Sequence, residues 1–577
     1  MAKNLWLLAA LAIVLFTPLV LHPKSGATSS KADRTLIIVT PHNEATRYEF
    51  SRAFDNYYFK KTGQHVHIDW RTPGGTSEIS RYLESEYLAA FQYYWTSKLH
   101  RHWSAEVQSA FANPKTPLDD SPAGQARKEF LKSNVGCGID LFFGGGSFDF
   151  MLQAAAGRLV DSGVIANHPD IFNDKAIPKN LGGEPYWDPE GRWVGACLSS
   201  FGICYNTDLL RLLKIEHPPA QWADLTNPRY SGQLALGNPT QSGSVAKAFE
   251  MLIQQQMLAV LKFKIVKFED KKLVDKNGTE TDISELTVQN VDTGTNETLV
   301  VGDLKFEIGD QIPEEIAIRL GWIHAMQLIQ KISANARYFT DSGTKVPFDV
   351  EAGNAAAGMC IDFYGRFESE AARKPDGTSR MEYVTPIGGS SVGVDPIGMF
   401  RGAPDADLAR DFIEFVISLD GQALWNWKLG TPGGPVKYAL RRMPIRPELY
   451  APSFDIYRSD PNVQPYAQAG AFIYHPQWTA SLFRQISFVI RAMCIDPHDE
   501  LRAAWQALIA ANFPPEATKV FQDVSKVDYA ATSGPIRAVL QSKDKNQKID
   551  EMNLATSLSE SFRAQYRKAA ELAREGK

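Results

Sequence analysis

The chain lacks the cysteine spacings that would build a small cross-linked or metal-stabilised domain. Its five cysteines form no CxxC pair and no metal-finger spacing, so neither a disulfide framework nor a zinc module is indicated. An HExxH motif and a Walker-type loop are also missing. The pair His65 and Asp69 lies in an alternating strand pattern and is interpreted as part of a strand face. We therefore expect no enzyme activity and no hydrolase nucleophile.

An excess of charge of one sign is missing as well. The formal charge of −5 arises from 61 basic and 66 acidic residues, which is small for 577 residues. Such a balance argues against nucleic-acid binding and gives no attraction to anionic membranes. The chain is too long for one compact core, so its length predicts two or more lobes.

The N-terminal residues have the pattern of an export segment. Lys3 precedes an apolar run over residues 5–21, and the small residues at 25–27 suit a signal-peptidase site. The run is also about as long as the shortest membrane-spanning helices. Residues 1–30 are therefore predicted to be a signal peptide or an uncleaved membrane anchor, with the rest of the chain in the periplasm or otherwise outside the cytoplasm.

Four stretches pass from a strand pattern through small polar residues into a helix pattern. They are VTPHNEATRYEF (39–50), GIDLFFGGGSFDFMLQAAAGRL (138–159), GQLALGNPTQSGSVAKAFEML (232–252) and AAAGMCIDFYGRFESEAA (355–372). Ligands of open α/β sheets bind outside the carboxyl ends of the strands, where such turns meet. The sequence thus predicts an α/β fold with a binding cleft formed by these turns.

Two other regions depart from this pattern. Residues 258–312 combine alternating β-branched residues with NG and TG turns, and they are predicted to form a small β-rich insertion. The insertion holds two Asn-x-Thr triplets, at 277–279 and 296–298, which fit a glycosylation pattern that also arises by chance. Residues 451–577 are predicted to form C-terminal helices, of which DELRAAWQALIAA (499–511) is an amphipathic example.

Several of these segments, taken in their order along the chain, carry a family resemblance. TPHNEATRYEFSRAF, TPGGTSEISRYL, GIDLFFGGGSFDF, LGNPTQSGSVAKAFE, ARDFIEFVISLDGQALW and TPGGPVKYALRRMPIRPELY resemble the extracellular solute-binding proteins of ABC importers, in particular the branch related to ferric-iron-binding proteins. The resemblance covers residues 34–450 without the insertions, and the order of the segments is its specific part.

The resemblance implies a two-lobe, periplasmic-binding-protein-like fold of type II. Two α/β lobes joined by crossing strands would close on one solute and then dock on an ABC permease in the membrane. We expect lobe 1 at residues 34–165, with 385–450 returning to it, and lobe 2 at 190–384 including the β-rich insertion. Such a receptor can report occupancy only if the solute binds the closed state better than the open state.

The candidate ligand-binding residues lie in the four turns. Hydroxyl and amide groups at a helix start suit an oxyanion and a hydroxylated solute equally well, and glycines allow close backbone approach. Helix capping is the simpler interpretation of Asn43, of Asp362 and of one of the serines. The predicted set is His42, Asn43, Glu44, Gly145, Gly146, Ser147, Thr240, Gln241, Ser242, Ser244, Asp362 and Tyr364.

A metal site is a further expectation. His42, Glu44, Asp362 and Tyr364 carry donors that suit a hard cation such as iron(III), provided that they converge. The ferric-binding pattern has adjacent tyrosines, whereas Phe363 precedes Tyr364 in this chain, and this difference puts iron in doubt.

The sequence leaves the solute and the exact role open. The leading hypothesis is a monomeric receptor that captures iron(III) or a small anionic or organic compound, with no resident cofactor and no nucleic-acid partner. Arg47 and Arg366 would favour an anion, although they are also interpretable as surface charges. The alternatives are an extracytoplasmic sensor domain with the same fold and, less favoured, a hydrolase.

Overall fold

The computed structural model describes residues 32–274, 280–291, 293–301, 309, 311–542, 544 and 546–577. The predicted export segment over 1–30 and the triplet at 277–279 lie outside the described residues. Within the described part of the chain, no helix is long and apolar enough to cross a bilayer. All five cysteines are free thiols, which agrees with the absence of disulfide spacing.

The strands are short, and most of them alternate with helices along the chain. They are β1 (Arg34–Val39), β2 (Val66–Arg71), β3 (Leu141–Phe143), β4 (Leu159–Val160), β5 (Asn180–Leu181), β6 (Glu184–Pro185), β7 (Val194–Ser199), β8 (Phe201–Asn206), β9 (Leu234–Gly237), β10 (Lys264–Val274), β11 (Glu280–Gln289), β12 (Asn296–Val301), β13 (Ala336–Thr340), β14 (Ala357–Ile361), β15 (Met381–Val384), β16 (Gly393–Phe400) and β17 (Met443–Pro444).

The helices range from single turns to a long C-terminal helix. They are α1 (Glu44–Thr62), α2 (Thr76–Tyr93), α3 (Ala105–Ala110), α4 (Pro122–Lys132), α5 (Ser147–Ala156), α6 (Val164–Asn167), α7 (Thr207–Leu212), α8 (Gly243–Val260), α9 (Glu314–Ala334), α10 (Lys345–Glu351), α11 (Asp362–Ala371), α12 (Ala406–Ile417), α13 (Leu419–Asn426), α14 (Pro465–Ala469), α15 (Pro476–Thr479), α16 (Phe483–Ile490), α17 (His498–Ala510), α18 (Pro515–Phe521), α19 (Tyr529–Ala531), α20 (Arg537–Gln541) and α21 (Gln547–Arg574).

Two mixed sheets carry the fold. The first has the strand order β17-β7-β16-β3-β1-β2, with β4 also pairing with β16, and β1 runs parallel to β2 and β3. The second has the order β13-β9-β14-β8-β15, in which β9 runs parallel to β13 and β14. This architecture confirms the predicted α/β class.

Each sheet has its own hydrophobic core. The first core takes its apolar side chains from the stretches 36–198 and 392–469, and the second takes them from 201–361 and 472–573. We call the two units the first lobe and the second lobe. Two separate cores are what a chain of this length requires, because a single core stops growing at smaller sizes.

The chain crosses between the lobes at three places. β7 ends at Ser199 in the first sheet and β8 begins at Phe201 in the second. The return runs between the end of β15 at Val384 and the start of β16 at Gly393. A third crossing lies between residues 469 and 472, where the first core ends and the C-terminal helices join the second.

The first βα unit shows why helices start beside the strand ends. Leu36, Ile38 and Val39 are buried in β1, and the Asn43 side chain then accepts a hydrogen bond from the Thr46 N–H at the start of α1. The helix ends at Gly63, whose φ of 75° suits a residue without a side chain.

The predicted insertion is a three-stranded antiparallel sheet with the order β10-β11-β12. A small core of its own, which includes Phe263, Ile265 and Leu286, packs against the start of α9. The His324 ring on α9 lies 2.6 Å from the Glu297 carboxylate on β12 and ties the sheet to the second lobe. The β-rich prediction is confirmed.

Candidate functional site

A cavity of about 740 Å³ lies between the two sheets. The first lobe contributes the starts of α2 and α5, the hairpin of β5 and β6, and the segment that leads into β16. The second lobe contributes the starts of α8, α10 and α11, and the C-terminal region adds Tyr474 and Phe483. The volume is that of a pocket for a small organic molecule, and its lining comes from both lobes.

The first-lobe wall is built from glycines. Gly145 and Gly146 line the cavity together with Ser147, which begins α5. Gly145 has a φ of 120°, and a Cβ placed on it would lie 2.8 Å from Thr76 Cγ2 at the start of α2. The two helix starts therefore pack closely because this turn carries no side chain. The structure brings all three predicted residues to the cavity.

The second-lobe wall carries hydroxyl and amide groups. Gln241, Ser242 and Ser244 line the cavity, and Ser242 Oγ also accepts from the Val245 N–H as the cap of α8. Thr240 is not among the described lining residues, because its hydroxyl turns to Asn238 Oδ1 at 2.7 Å. This wall therefore keeps three of the four predicted residues at the cavity.

The turn after β14 divides its residues between the cavity and the interior. Tyr364 lines the cavity, and so does its neighbour Phe363. Asp362 is 2% exposed and accepts a hydrogen bond from the Phe363 N–H at 2.8 Å. Burial raises the pKa of Asp362 to about 6, against the opposing effect of Arg366 and Arg442. Asp362 is therefore buried beneath the cavity wall, where it holds the backbone of Phe363.

The turn after β1 does not reach the cavity with its predicted side chains. From this turn, Pro41 lines the cavity. Asn43 instead caps α1, and Glu44 is exposed on the first turn of that helix. His42 is 6% exposed and lies under the loop that follows β3, where a Cβ on Gly144 would be 2.3 Å from the His42 Nε2. The glycine loop separates His42 from the cavity.

Three of the four proposed metal donors, His42, Glu44 and Asp362, are not grouped for metal binding. Among the described residues, no three histidine, cysteine, aspartate or glutamate side chains are grouped so as to hold a metal ion, and this includes His42, Glu44 and Asp362. The physical reason is the position of Arg442. Its Nη1 lies 3.2 Å from the His42 Nδ1, and its positive charge also acts on Asp362. The charge of Arg442 therefore opposes a cation beside His42 and Asp362.

Arg442 is the centre of a buried contact between the lobes, which we call the Arg442 cluster: Arg442, Asp395, His42, Phe363 and Trp425. Arg442 of the first lobe donates to the Asp395 carboxylate, and its guanidinium carbon lies 3.8 Å from the ring centroid of Phe363 in the second lobe. Burial lowers the pKa of His42 well below its ordinary value, and the charge of Arg442 adds to this effect. His42 is therefore neutral here.

A second polar contact lies in the wall of the cavity, and we call it the Lys247 cluster: Lys247, Glu184, Glu250, Tyr474 and Ser391. Lys247 Nζ on α8 is 3.2 Å from the Glu184 carboxylate of the first lobe and 3.1 Å from that of Glu250. It also lies 3.6 Å from the ring centroid of Tyr474. Burial alone would lower the pKa of Lys247, but the two carboxylates outweigh it and raise the pKa.

One segment of the Lys247 cluster matches a hydrolase pattern. Residues 389–393 read GSSVG, which fits GxSxG and puts Ser391 at the nucleophile position. Ser391 is 2% exposed, and its hydroxyl donates to Glu184 at 2.7 Å. The segment runs into β16 instead of turning from a strand into a helix, and no described histidine hydrogen-bonds to Ser391. Within the described residues, Ser391 thus lacks the strand–turn–helix context and the histidine partner of that motif.

Sequence reasoning missed three parts of the wall. Asp341, Ser342, Gly343 and Thr344 line the cavity after β13, and the pattern RYFT followed by DSGT was a fifth strand-to-helix transition that could have revealed them. Thr76 follows β2 in the same way. The Lys247 cluster carries no such signal, because its members are separated by long stretches of sequence.

Comparisons with known proteins point to one family. Residues 145–440 of the 577 match the family described as bacterial extracellular solute-binding protein. An uncharacterized protein of Haemophilus influenzae is 21% identical over 295 residues, which cover 50% of this chain and 61% of that protein, so the match spans about three fifths of the relative's length.

Two solved structures are similar over most of the chain. Iron-bound HitA from Pseudomonas aeruginosa is 15% identical, with a TM-score of 0.43, and the match covers 79% of this chain and 99% of that one. The periplasmic binding protein AfuA from Actinobacillus pleuropneumoniae, with fructose-6-phosphate bound, is also 15% identical, with a TM-score of 0.40 and coverage of 68% and 82%.

Proposed function

The chain belongs to the bacterial extracellular solute-binding proteins, and from this premise we propose that it captures a small organic solute between its lobes and delivers it to an ABC permease in the membrane. The observation that carries the proposal is the cavity of about 740 Å³ whose walls come from both lobes. A solute that contacts both walls stabilises the closed arrangement over the open one.

Several features support a non-catalytic receptor for an organic molecule. Within the described part of the chain, seven aromatic side chains line the cavity: Phe148, Phe201, Phe249, Phe363, Tyr364, Tyr474 and Phe483. Among the described residues, no group of three histidine, cysteine, aspartate or glutamate side chains offers iron(III) a set of converging donors. Serine hydroxyls and open backbone amides at the helix starts add polar contacts that orient an organic solute.

We propose that the lobe boundaries follow the two cores. The first lobe would then comprise residues 32–199 and 393–470, and the second would comprise 201–384 and 472–577. Export by the segment over 1–30, as a cleaved signal or an anchor, and a monomeric state in solution complete the proposal.

The test is calorimetry on the purified protein with iron(III), phosphate esters, small carboxylates, sugars and amines. We expect one organic solute to bind saturably at one site. Saturable binding of iron(III) alone, or no binding across a broad library, would contradict the proposal.

A matched pair of cap variants locates the site. Ser242 and Ser104 each accept a hydrogen bond at a helix start, but Ser242 lines the cavity and Ser104 lies at the start of α3. We expect Ser242→Ala to weaken solute binding by about fivefold, the worth of one hydrogen bond, and Ser104→Ala to leave it unchanged. Equal affinities in both variants would place the site elsewhere.

A further inference from the structure

In the described lining of the cavity, acidic side chains outnumber basic ones. Six carboxylates line it, and the described lining includes one cation, Lys247, and neither arginine nor histidine. The carboxylates belong to Glu78, Asp149, Glu184, Glu250, Asp341 and Asp395. The chemistry of the wall therefore restricts which solutes the proposed receptor can hold.

The single lining cation is already neutralised. Lys247 lies within ion-pair distance of Glu184 and Glu250, whose side chains are 3% and 1% exposed. An incoming phosphate or carboxylate would have to compete with both. The arginines that the sequence suggested for an anion, Arg47 and Arg366, are not among the lining residues, and Arg366 lies 3.7 Å from the Asp460 carboxylate.

Three of the described helix starts at the cavity offer little compensation to an anion, whereas the first turns of α8 and α10 carry no acidic residue. The first turns of α2, α5 and α11 carry Glu78, Asp149 and Asp362, so the partial positive charge at these three helix ends already has a carboxylate beside it. An anionic solute at these starts would meet a like charge.

Two lining carboxylates face the cavity from opposite lobes without a cation of their own. Asp149 of the first lobe is hydrogen-bonded with Thr76, and Asp341 of the second lobe accepts from the Asn238 amide at 3.0 Å. Among the described residues neither of them forms an ion pair. Closing an empty cavity would bring like charges nearer, whereas a cation between them would favour closure.

The protein itself shows how an ammonium binds in this wall. Lys247 Nζ is held between two carboxylates and lies 3.6 Å from the Tyr474 ring centroid, which combines ion pairing with a cation–π contact. The cavity lining also offers a second ammonium both carboxylates and aromatic side chains, among them Phe363 and Tyr364.

Resting on the proposed function, we infer that the solute is a small organic cation, an amine or a quaternary ammonium compound, held by Asp149 of the first lobe and Asp341 of the second against the aromatic wall. Asp149 and Asp341 are then the residues that determine specificity. The same two charges disfavour sugar phosphates and other anions.

The experiment is calorimetry on the full chain at low and physiological salt with choline, putrescine and agmatine as cations, glucose as a neutral solute and fructose 6-phosphate as an anion. We expect one of the cations to bind at one site. Asp149→Asn and Asp341→Asn should each weaken that binding by at least about tenfold, because each removes one charge partner. The control Asp420→Asn, an exposed aspartate in the first turn of α13, should change it by less than about twofold.

A change in the ligand tests the same point without any variant. 3,3-Dimethyl-1-butanol has the shape of choline without its charge, so it should bind at least about tenfold more weakly wherever choline binds. Equal binding of the two, or saturable binding of glucose or fructose 6-phosphate in place of the cations, would overturn the inference and leave the receptor standing. If no solute of any class binds, the proposed function fails as well.

Discussion

The Arg442 cluster and the Lys247 cluster each neutralise a cation where the two lobes meet, but the surroundings of the two cations differ. In the Arg442 cluster the guanidinium is 1% exposed and meets one carboxylate, that of Asp395, with aromatic rings over its faces. In the Lys247 cluster the ammonium meets two carboxylates and lines the cavity. Arg442 is not among the described lining residues, although its partners Asp395 and Phe363 are, whereas in the second cluster the cation itself lines the cavity.

The largest effect is expected from Arg442→Met. The substitution leaves Asp395 buried without its cation, with the Ser199 hydroxyl as a remaining partner, so the free energy of unfolding should fall by about 3–5 kcal/mol. Urea unfolding measures the loss. Adding Asp395→Asn should restore part of it, and Arg211→Met, at a side chain that is 77% exposed, should change stability by less than about 0.5 kcal/mol. A loss equal to that of Arg211→Met would mean that the buried pair of Arg442 and Asp395 does not stabilise the fold.

A smaller loss is expected from Lys247→Met, of about 2–4 kcal/mol at pH 7, because Glu184 and Glu250 are left as buried charges. Urea unfolding at pH 7 measures the loss, with Lys128→Met as the surface control. A loss no larger than that of Lys128→Met would contradict the account.

Asp149 tests a carboxylate that belongs to neither cluster. Burial raises its folded-state pKa to about 6 from an ordinary value of 3.8, although the Thr76 hydroxyl lowers it. The folded protein therefore binds more protons than the unfolded chain between these values, so the Asp149 contribution to stability falls as pH rises from about 4 to 6. Its size should be on the order of 2 kcal/mol. Unfolding at pH 4.5 and 7 should show this difference reduced in Asp149→Asn and kept in Asp420→Asn.

The smallest loss of stability is expected at an exposed ion pair between the lobes, that of Glu370 and Arg441. Glu370 on the second lobe is 47% exposed and lies 2.7 Å from Arg441, which also pairs with Asp460. Glu370→Gln should cost less than about 1 kcal/mol at low salt, and the cost should vanish at high salt because water and ions screen the pair. A larger cost that persists at high salt would show that exposed pairs also hold the lobes.

Local patterns sufficed for much of the fold and part of the site. The strand-to-helix turns were visible in the sequence, and five of the turn residues, Gly145, Gly146, Ser147, Ser242 and Ser244, line the cavity together with Gln241 and Tyr364. Glycines and capping serines act on their own neighbourhood, so spacing along the chain is enough to recognise them.

Residues whose role depends on distant neighbours could not be placed in this way. His42 and Asp362 stand at strand ends as the pattern requires, yet Arg442, about 400 and 80 positions away, decides what surrounds them. The same holds for Lys247, whose partner Glu184 comes from the other lobe. Periodicity reports which face of an element is buried, and it does not report which remote residue covers that face.

The C-terminal helices have a consequence for anyone who shortens the chain. Trp322 in the second core donates its indole N–H to the Val527 carbonyl at 2.8 Å, and Trp505 donates to Asn335 at 2.7 Å. A truncated protein that stops at residue 440, where the family match ends, would lose Trp505, Val527 and the C-terminal helices. It would then expose apolar side chains of the second core to water. We expect such a fragment to aggregate on expression. The smallest fragment that folds independently should therefore extend to the last helix, α21.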